Sequence, residues 1–208
     1  MLLQHLLGTL VVATAGPSAT QKCPPFPTSL VEFSSGFHQP PPPLIKPEFN
    51  TSFIQHKWNQ DVSRITAGYM TNSPSSSTVR VDEAYKGGLA SSLFNYANVT
   101  DDGLVDNTLT TFVPPDSVTV WRGYVSSNFP LFSADFLVSA DAVFAGLATR
   151  DLVPGKVALW NIMYQGVIPV TICVDACGVV VGYDYFTPGL RTRVVNLFFN
   201  TQIAEIHV

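Results

Sequence analysis

The fold class this sequence predicts is mainly β: a curved half-barrel or sandwich of about nine to eleven strands with one or two short helices. Three observations predict it. Short runs of alternating polar and apolar residues recur along the chain, separated by clusters of Pro, Gly, Asn, Asp and Ser. Charged residues make up only 12% of the 208 residues against 46% apolar, so the chain has the material for a core and not the composition of a disordered one. Aromatic residues reach 12% and concentrate in the alternating runs, where pleated surfaces accommodate them.

The chain opens MLLQHLLGTLVVATAG. Leu2 to Val12 is apolar but too short to span a bilayer, and Ala13-Thr14-Ala15 offers a small-residue cleavage site, which predicts a signal peptide over residues 1–15. Residues 16–48 form a proline-rich arm, with Pro40 to Pro43 favouring polyproline II, either packed over the domain or acting as a spacer. Residues 49–208 make one β-rich domain. No later apolar run reaches about 18 residues, so no membrane span is expected. Asn50-Thr51-Ser52 and Asn98-Val99-Thr100 are sequons, which predicts a secreted, extracellular or lysosomal glycoprotein modified at Asn50 and Asn98. The net charge of −4 comes without a basic cluster. That argues against nucleic acid as a partner and leaves nothing evident to grip an ionic headgroup.

The elements follow in order. Residues 49–59 form a first strand. "RITAGYMTN" (64–72) and "TVRVDEAY" (78–85) flank a serine-rich loop as a hairpin, with Asp82-Glu83 at an exposed hairpin end. "LASSLFNYANV" (89–99) and "GLVDNTLTTFV" (103–113) make a second hairpin about Thr100 to Gly103, and 117–125 is a further strand. Residues 133–152 carry Phe136, Leu137, Ala140, Val143, Phe144 and Leu147 at helical spacing behind Ser133 as N-cap, or else two strands broken near Ser139. Strands over 156–174, 178–186 and 191–203 complete the ladder.

Three cysteines in an oxidising compartment give one disulfide and one free thiol. "CVDACG" (173–178) suits a hairpin tip through Asp175 and Gly178. Either Cys173 closes on Cys177, or one of them staples Cys23. The spacing is not that of a redox C-x-x-C pair, and none of His5, His38, His56 and His207 lies near, so the role is structural.

No nucleophile elbow, zincin, Walker or dinucleotide motif occurs. Asp101, Asp102 and Asp106 in "TDDGLVDN" could collect a calcium ion, although the spacing is not that of an EF-hand. Asp135 and Asp141 lie in an apolar stretch that would raise their pKa. With Tyr164 and His56 they are the proton-transfer candidates of an alternative reading, a small cone-shaped α+β enzyme acting on an apolar substrate. A third reading is a structural or adhesive surface protein. The leading one starts from the aromatic excess. Most of these rings must be core, but a curved, unclosed sheet can line a cavity of several hundred cubic ångströms for an apolar guest. Phe53, Tyr69, Phe94, Trp121, Trp160, Tyr164 and Phe198 are the candidates for its wall, with strand parity deciding which face each takes.

The second half of the chain resembles the ependymin-related family. "SADAVFAGLATRDLVPGKVALWNIMY" is similar to its "DA-x-F-x-G" strand followed by a strand ending at Trp. "GVIPVTICVDACGVVVGYDYF" resembles its I/V-P-V strand and hairpin, and "RTRVVNLFFNTQI" its closing strand, here Phe198-Phe199-Asn200 and Ile203. The resemblance implies a secreted, non-enzymatic glycoprotein with two stacked antiparallel sheets, a fold similar to bacterial lipoprotein carriers. It also implies a deep pocket for lipid-like molecules, calcium association and homodimers. The family's cysteine before the I/V-P-V strand is Val167 here, so its disulfide framework does not carry over.

Overall fold

The computed structural model describes residues 23–27, 39–59, 61, 63–113 and 117–203. The expected leader and part of the proline-rich arm lie outside them. Eleven strands follow in chain order: β1 (Phe49–Trp58), β2 (Ser63–Ser73), β3 (Thr78–Tyr85), β4 (Gly88–Val99), β5 (Val105–Val113), β6 (Ser117–Val125), β7 (Val143–Thr149), β8 (Lys156–Tyr164), β9 (Ile168–Val174), β10 (Val180–Thr187) and β11 (Thr192–Ile203). A 3-10 turn (Pro74–Ser76) and a one-turn helix α1 (Phe136–Ser139) are the helical segments among the described residues.

All eleven strands belong to one antiparallel sheet of order β6-β5-β4-β3-β2-β1-β11-β10-β9-β8-β7. Two meanders, β1–β6 and β7–β11, fuse where β1 pairs with β11 and Phe53 faces Phe198. The expected curved half-barrel is therefore a single curled sheet that does not close. The β1–β11 ladder makes continuous what the resemblance describes as two stacked sheets.

Alternation decides the faces. Along β1, Phe49, Thr51, Phe53 and Gln55 are buried while Asn50, Ser52, Ile54 and His56 are only partly covered. The register carries that parity across the sheet through Met70, Val81, Phe94, Phe198, Tyr183, Ile172 and Trp160. Because β6 and β7 are opposite edges, residues 126–142 must cross the inner face of the curl. Phe129, Phe132 and Leu137 of this crossing segment are buried there. Phe129 lies 5.2 Å from Phe53 and Phe132 lies 5.8 Å from Tyr183, centroid to centroid. Each such side chain contributes about 1.5–3 kcal/mol on burial, so the crossing is also the second layer of the core.

Two local expectations are corrected. Residues 133–152 contain one helical turn and then β7, because Asp141 turns to φ 47° and the β-branched Val143 joins the sheet. The residue at the N-cap is Asp135, not Ser133. Glu83 is not at a hairpin end: it sits on the inward parity of β3, opposite Gly68 of β2 and Ala90 of β4.

Residues 39–48 of the arm pack onto the domain. Ile45 N–H donates to the Ala134 carbonyl (2.9 Å) and Lys46 N–H to that of Gly178 (2.8 Å). Asn72, fully buried, donates its amide to the carbonyls of Pro47 (2.6 Å) and Phe132 (2.9 Å) and accepts from Phe132 N–H (3.0 Å). Cys23 is disulfide-bonded to Cys177, which selects the long-range pairing and leaves Cys173 free and buried. On the outer face, Val157, Cys173 and Val181 form a small second core beneath Val153 and Leu159. Arg150, in the same loop as Val153, donates to both carboxylate oxygens of Asp184 (2.7 and 2.9 Å).

Candidate ligand-binding site

A wide concavity, about 840 Å³, is an open trough lined largely by outer-face residues such as Asn161, Met163, Thr171 and Phe186. Its openness means it cannot take a ligand out of water, which is where apolar affinity originates. A better candidate lies on the inner face under the crossing segment. It is a cavity of about 150 Å³ walled by Phe136, Ile162, Tyr164, Ile168, Val170 and Ile172, with Lys57 and Thr192 also on its lining. Parity puts these strand residues there: Ile162 faces Val170, and Tyr164 faces Ile168, across the β8–β9 ladder.

Tyrosine hydroxyls fix the cavity's roof. Tyr183 donates to the Asn128 carbonyl (2.5 Å), Tyr185 to Asn128 Oδ1 (2.9 Å) and Tyr96 to the Phe129 carbonyl (2.5 Å). Burial pushes all three phenols up, Tyr185 to about 12 and Tyr183 well above its ordinary value. Tyr96 is likewise raised by burial, as is Tyr164. They therefore remain protonated donors at any physiological pH.

A second inner-face cavity, about 200 Å³, adjoins the first and is far more polar, with Gln55, Arg64, Thr66, Glu83 and Asn107 on its wall. Lys57, Ser126 and Asn128 line both. An ordinary ligand site spans roughly 300–1,000 Å³. Each compartment alone is smaller than that and smaller than the several hundred cubic ångströms expected, because Phe129 and Phe132 of the crossing segment occupy the curl.

The seven expected wall residues separate accordingly. Tyr164 lines the apolar cavity and Phe94 the polar one. Phe53, Trp160 and Phe198 are inward but fully buried in the core. Trp121 has inward parity, opposite Leu109, yet it lies on edge strand β6 and is 47% exposed. Tyr69 pairs with Ser52 and Asp82 on the outer parity and is 42% exposed. Ile162, Ile168, Val170 and Ile172 are the site residues that sequence reading missed. Their signal was the plain alternation of β8 and β9, but an aliphatic run looks the same whether it lines a cavity or fills one.

The proton-transfer candidates do not assemble, and the acidic turn offers no cluster of three carboxylates among the described residues. Among the described residues, only Cys23, Asp175 and Cys177 bring three ligand-type atoms within 4.8 Å, and two of those are in the disulfide. Asp101 and Asp102 lie in an exposed turn, and Asp106 accepts from Asn98 Nδ2 at 3.2 Å. Asp135 is fully exposed, and hydrogen bonds from Ser133 and Ser139 pull its pKa down, not up. Asp141 is exposed, and His56 stacks edge-on against Trp58 on the outer parity, so neither meets Tyr164. Of the sequon residues, Asn98 is exposed and also accepts from the Tyr124 hydroxyl (3.0 Å); Asn50 is half-buried on β1.

No family model and no curated protein sequence matches the chain. Among solved structures, it is similar to a DUF1329 family protein from Desulfovibrio piger (11% identity, 78% of this chain and 88% of the other, TM-score 0.34). It is also similar to a LolA superfamily protein from Nitrosomonas europaea (10% identity, 79% and 89%, TM-score 0.28). Likeness at that level assigns neither a family nor a function. Among the described residues no helix is long and apolar enough to cross a membrane.

Proposed function

We propose that this chain is a secreted glycoprotein that binds a hydrophobic, lipid-like molecule without transforming it. The observation that carries the reading is the partly open, mainly apolar cavity of about 150 Å³ between β8–β10 and the crossing segment. A volume of that order accommodates a benzene-sized group, so the buried part of the ligand is a short chain of about six carbons. The disulfide and the sequence resemblance to the ependymin-related family support secretion. Glycans at Asn50 and Asn98 and self-association belong to the same reading.

The test is native mass spectrometry with solvent extraction of protein purified from culture medium, followed by alkanol titration observed by NMR. Affinity should rise about fourfold per methylene and level off near six to eight carbons. Ile168→Trp, which fills the cavity from a partly covered position, should abolish binding. Absence of saturable binding by any alkanol would leave a structural role for the fold.

A further inference from the structure

The polar cavity beside the apolar one is built from strand residues that ordinary folding would fill with hydrocarbon. Gln55, Thr66 and Asn107 are 7%, 6% and 4% exposed, on three different strands, and all point inward. Gln55 donates its amide to Asn196 Oδ1 at 3.0 Å. Thr66 Oγ1 and Asn107 Oδ1 have no partner. A buried polar atom left unpaired costs about 1–3 kcal/mol, so two of them facing one cavity point to something polar that fills it.

Charge indicates what that is. Lys57 and Arg64 are direct cross-strand partners on the inward parity of β1 and β2, and both line the polar cavity. Like charges so placed repel each other. Neither takes part in the two ion pairs of the described residues, which are Arg80–Asp82 and Arg150–Asp184. The one carboxyl on the cavity wall is Glu83, so two cations stand against one acid. The sequence shows no basic run, and binding indifferent to salt would be expected from it. Folding creates the cationic pair by register.

Lys57 also lines the apolar cavity, and the two compartments meet again at Ser126 and Asn128. Together they reach the lower end of the size range of ordinary ligand sites. We infer that they act as one site for an amphiphile whose short hydrocarbon tail lies among Ile162, Ile168 and Ile172 and whose carboxylate head lies between Lys57 and Arg64. Thr66 and Asn107 receive the head's remaining hydrogen bonds, directly or through water. The inference rests on the apolar-ligand reading above and names the ligand's chemical class.

The experiment compares octanoate, octan-1-ol, octylammonium and acetate by NMR titration of the full secreted chain. Octanoate is expected to bind roughly tenfold or more tightly than octanol, as hydrogen bonds to charged groups imply, with octylammonium weakest and acetate not saturating. That preference should shrink as salt rises and collapse toward one in R64M and in K57M. The ratio is read within each protein, so partial loss of folded material does not distort it. If neither variant folds, the ratios and salt dependence of the unsubstituted chain decide. Octanol binding as tightly as octanoate would overturn the anionic head while leaving the apolar site standing, the cavity then holding water alone. Acetate binding as tightly as octanoate would overturn the joined site. Loss of both octanol and octanoate binding would remove the underlying reading itself.

Discussion

Glu83 lies on the inward parity of β3, opposite Gly68 of β2 and Ala90 of β4. Burial pushes its carboxyl above the ordinary 4.5, and Arg64 and Lys57 pull it only partly back. An acid raised in the folded state binds its proton more tightly there than in the unfolded chain. Below about pH 4.5 both states are protonated and nothing is lost; as pH rises through the folded value, the unfolded chain ionises more readily and stability falls. Glu83→Gln should therefore raise the melting temperature near pH 7, with the gain fading toward pH 4. Thermal melts across that window check it, and a gain of equal size at both ends would mean that ionisation is not its cause.

At the scale of elements, one side chain, Asn72, bonds to both the crossing segment and the N-terminal arm from a position of β2 where a hydrophobe would otherwise sit. Its three hydrogen bonds go to backbone groups of Pro47 and Phe132. Asn72→Ala strands these groups in a fully buried place and should cost about 2–4 kcal/mol. Urea denaturation should show a lower midpoint at unchanged slope, and amides about Lys46 should exchange faster. A loss below about 1 kcal/mol would mean that Ile45 and Glu48 hold the arm without it. Glu48 accepts from the Ser73 hydroxyl and from Ser75 N–H (2.9 and 2.8 Å), a second tether.

For the whole molecule, the staple between Cys23 and Cys177 joins positions 154 residues apart, tying the start of the described chain to the β9–β10 turn. Closing so long a loop restrains the unfolded state, and Cys177→Ser should lower stability by about 2–5 kcal/mol. Thiol titration of unreduced protein should find one thiol per chain after denaturation and none before it. Cys173 is fully buried, and burial pushes its thiol up to about 11, so it supplies little thiolate for reaction. Three thiols on the denatured chain would contradict the staple and the oxidising compartment with it.

The β class, the positions of most strands, the turn at Asp175–Gly178 and the existence of one disulfide were legible in the residue pattern. These follow from period-two alternation and turn chemistry, which act over a few neighbouring residues. Which of Cys173 and Cys177 pairs was fixed by folding, because that depends on which face of the hairpin the arm reaches. Folding also separated Tyr69 and Trp121 from Tyr164: alternation gives each ring a parity, but not whether that parity is inside, at an edge or outside. The cationic pair of Lys57 and Arg64 was invisible for the same reason. Neither sits in a basic run, and they become neighbours only through the β1–β2 register. The cavity's small size was decided by residues 126–142. Their course across the curl is imposed by β6 and β7 being opposite edges, and that order exists only once β1 has found β11.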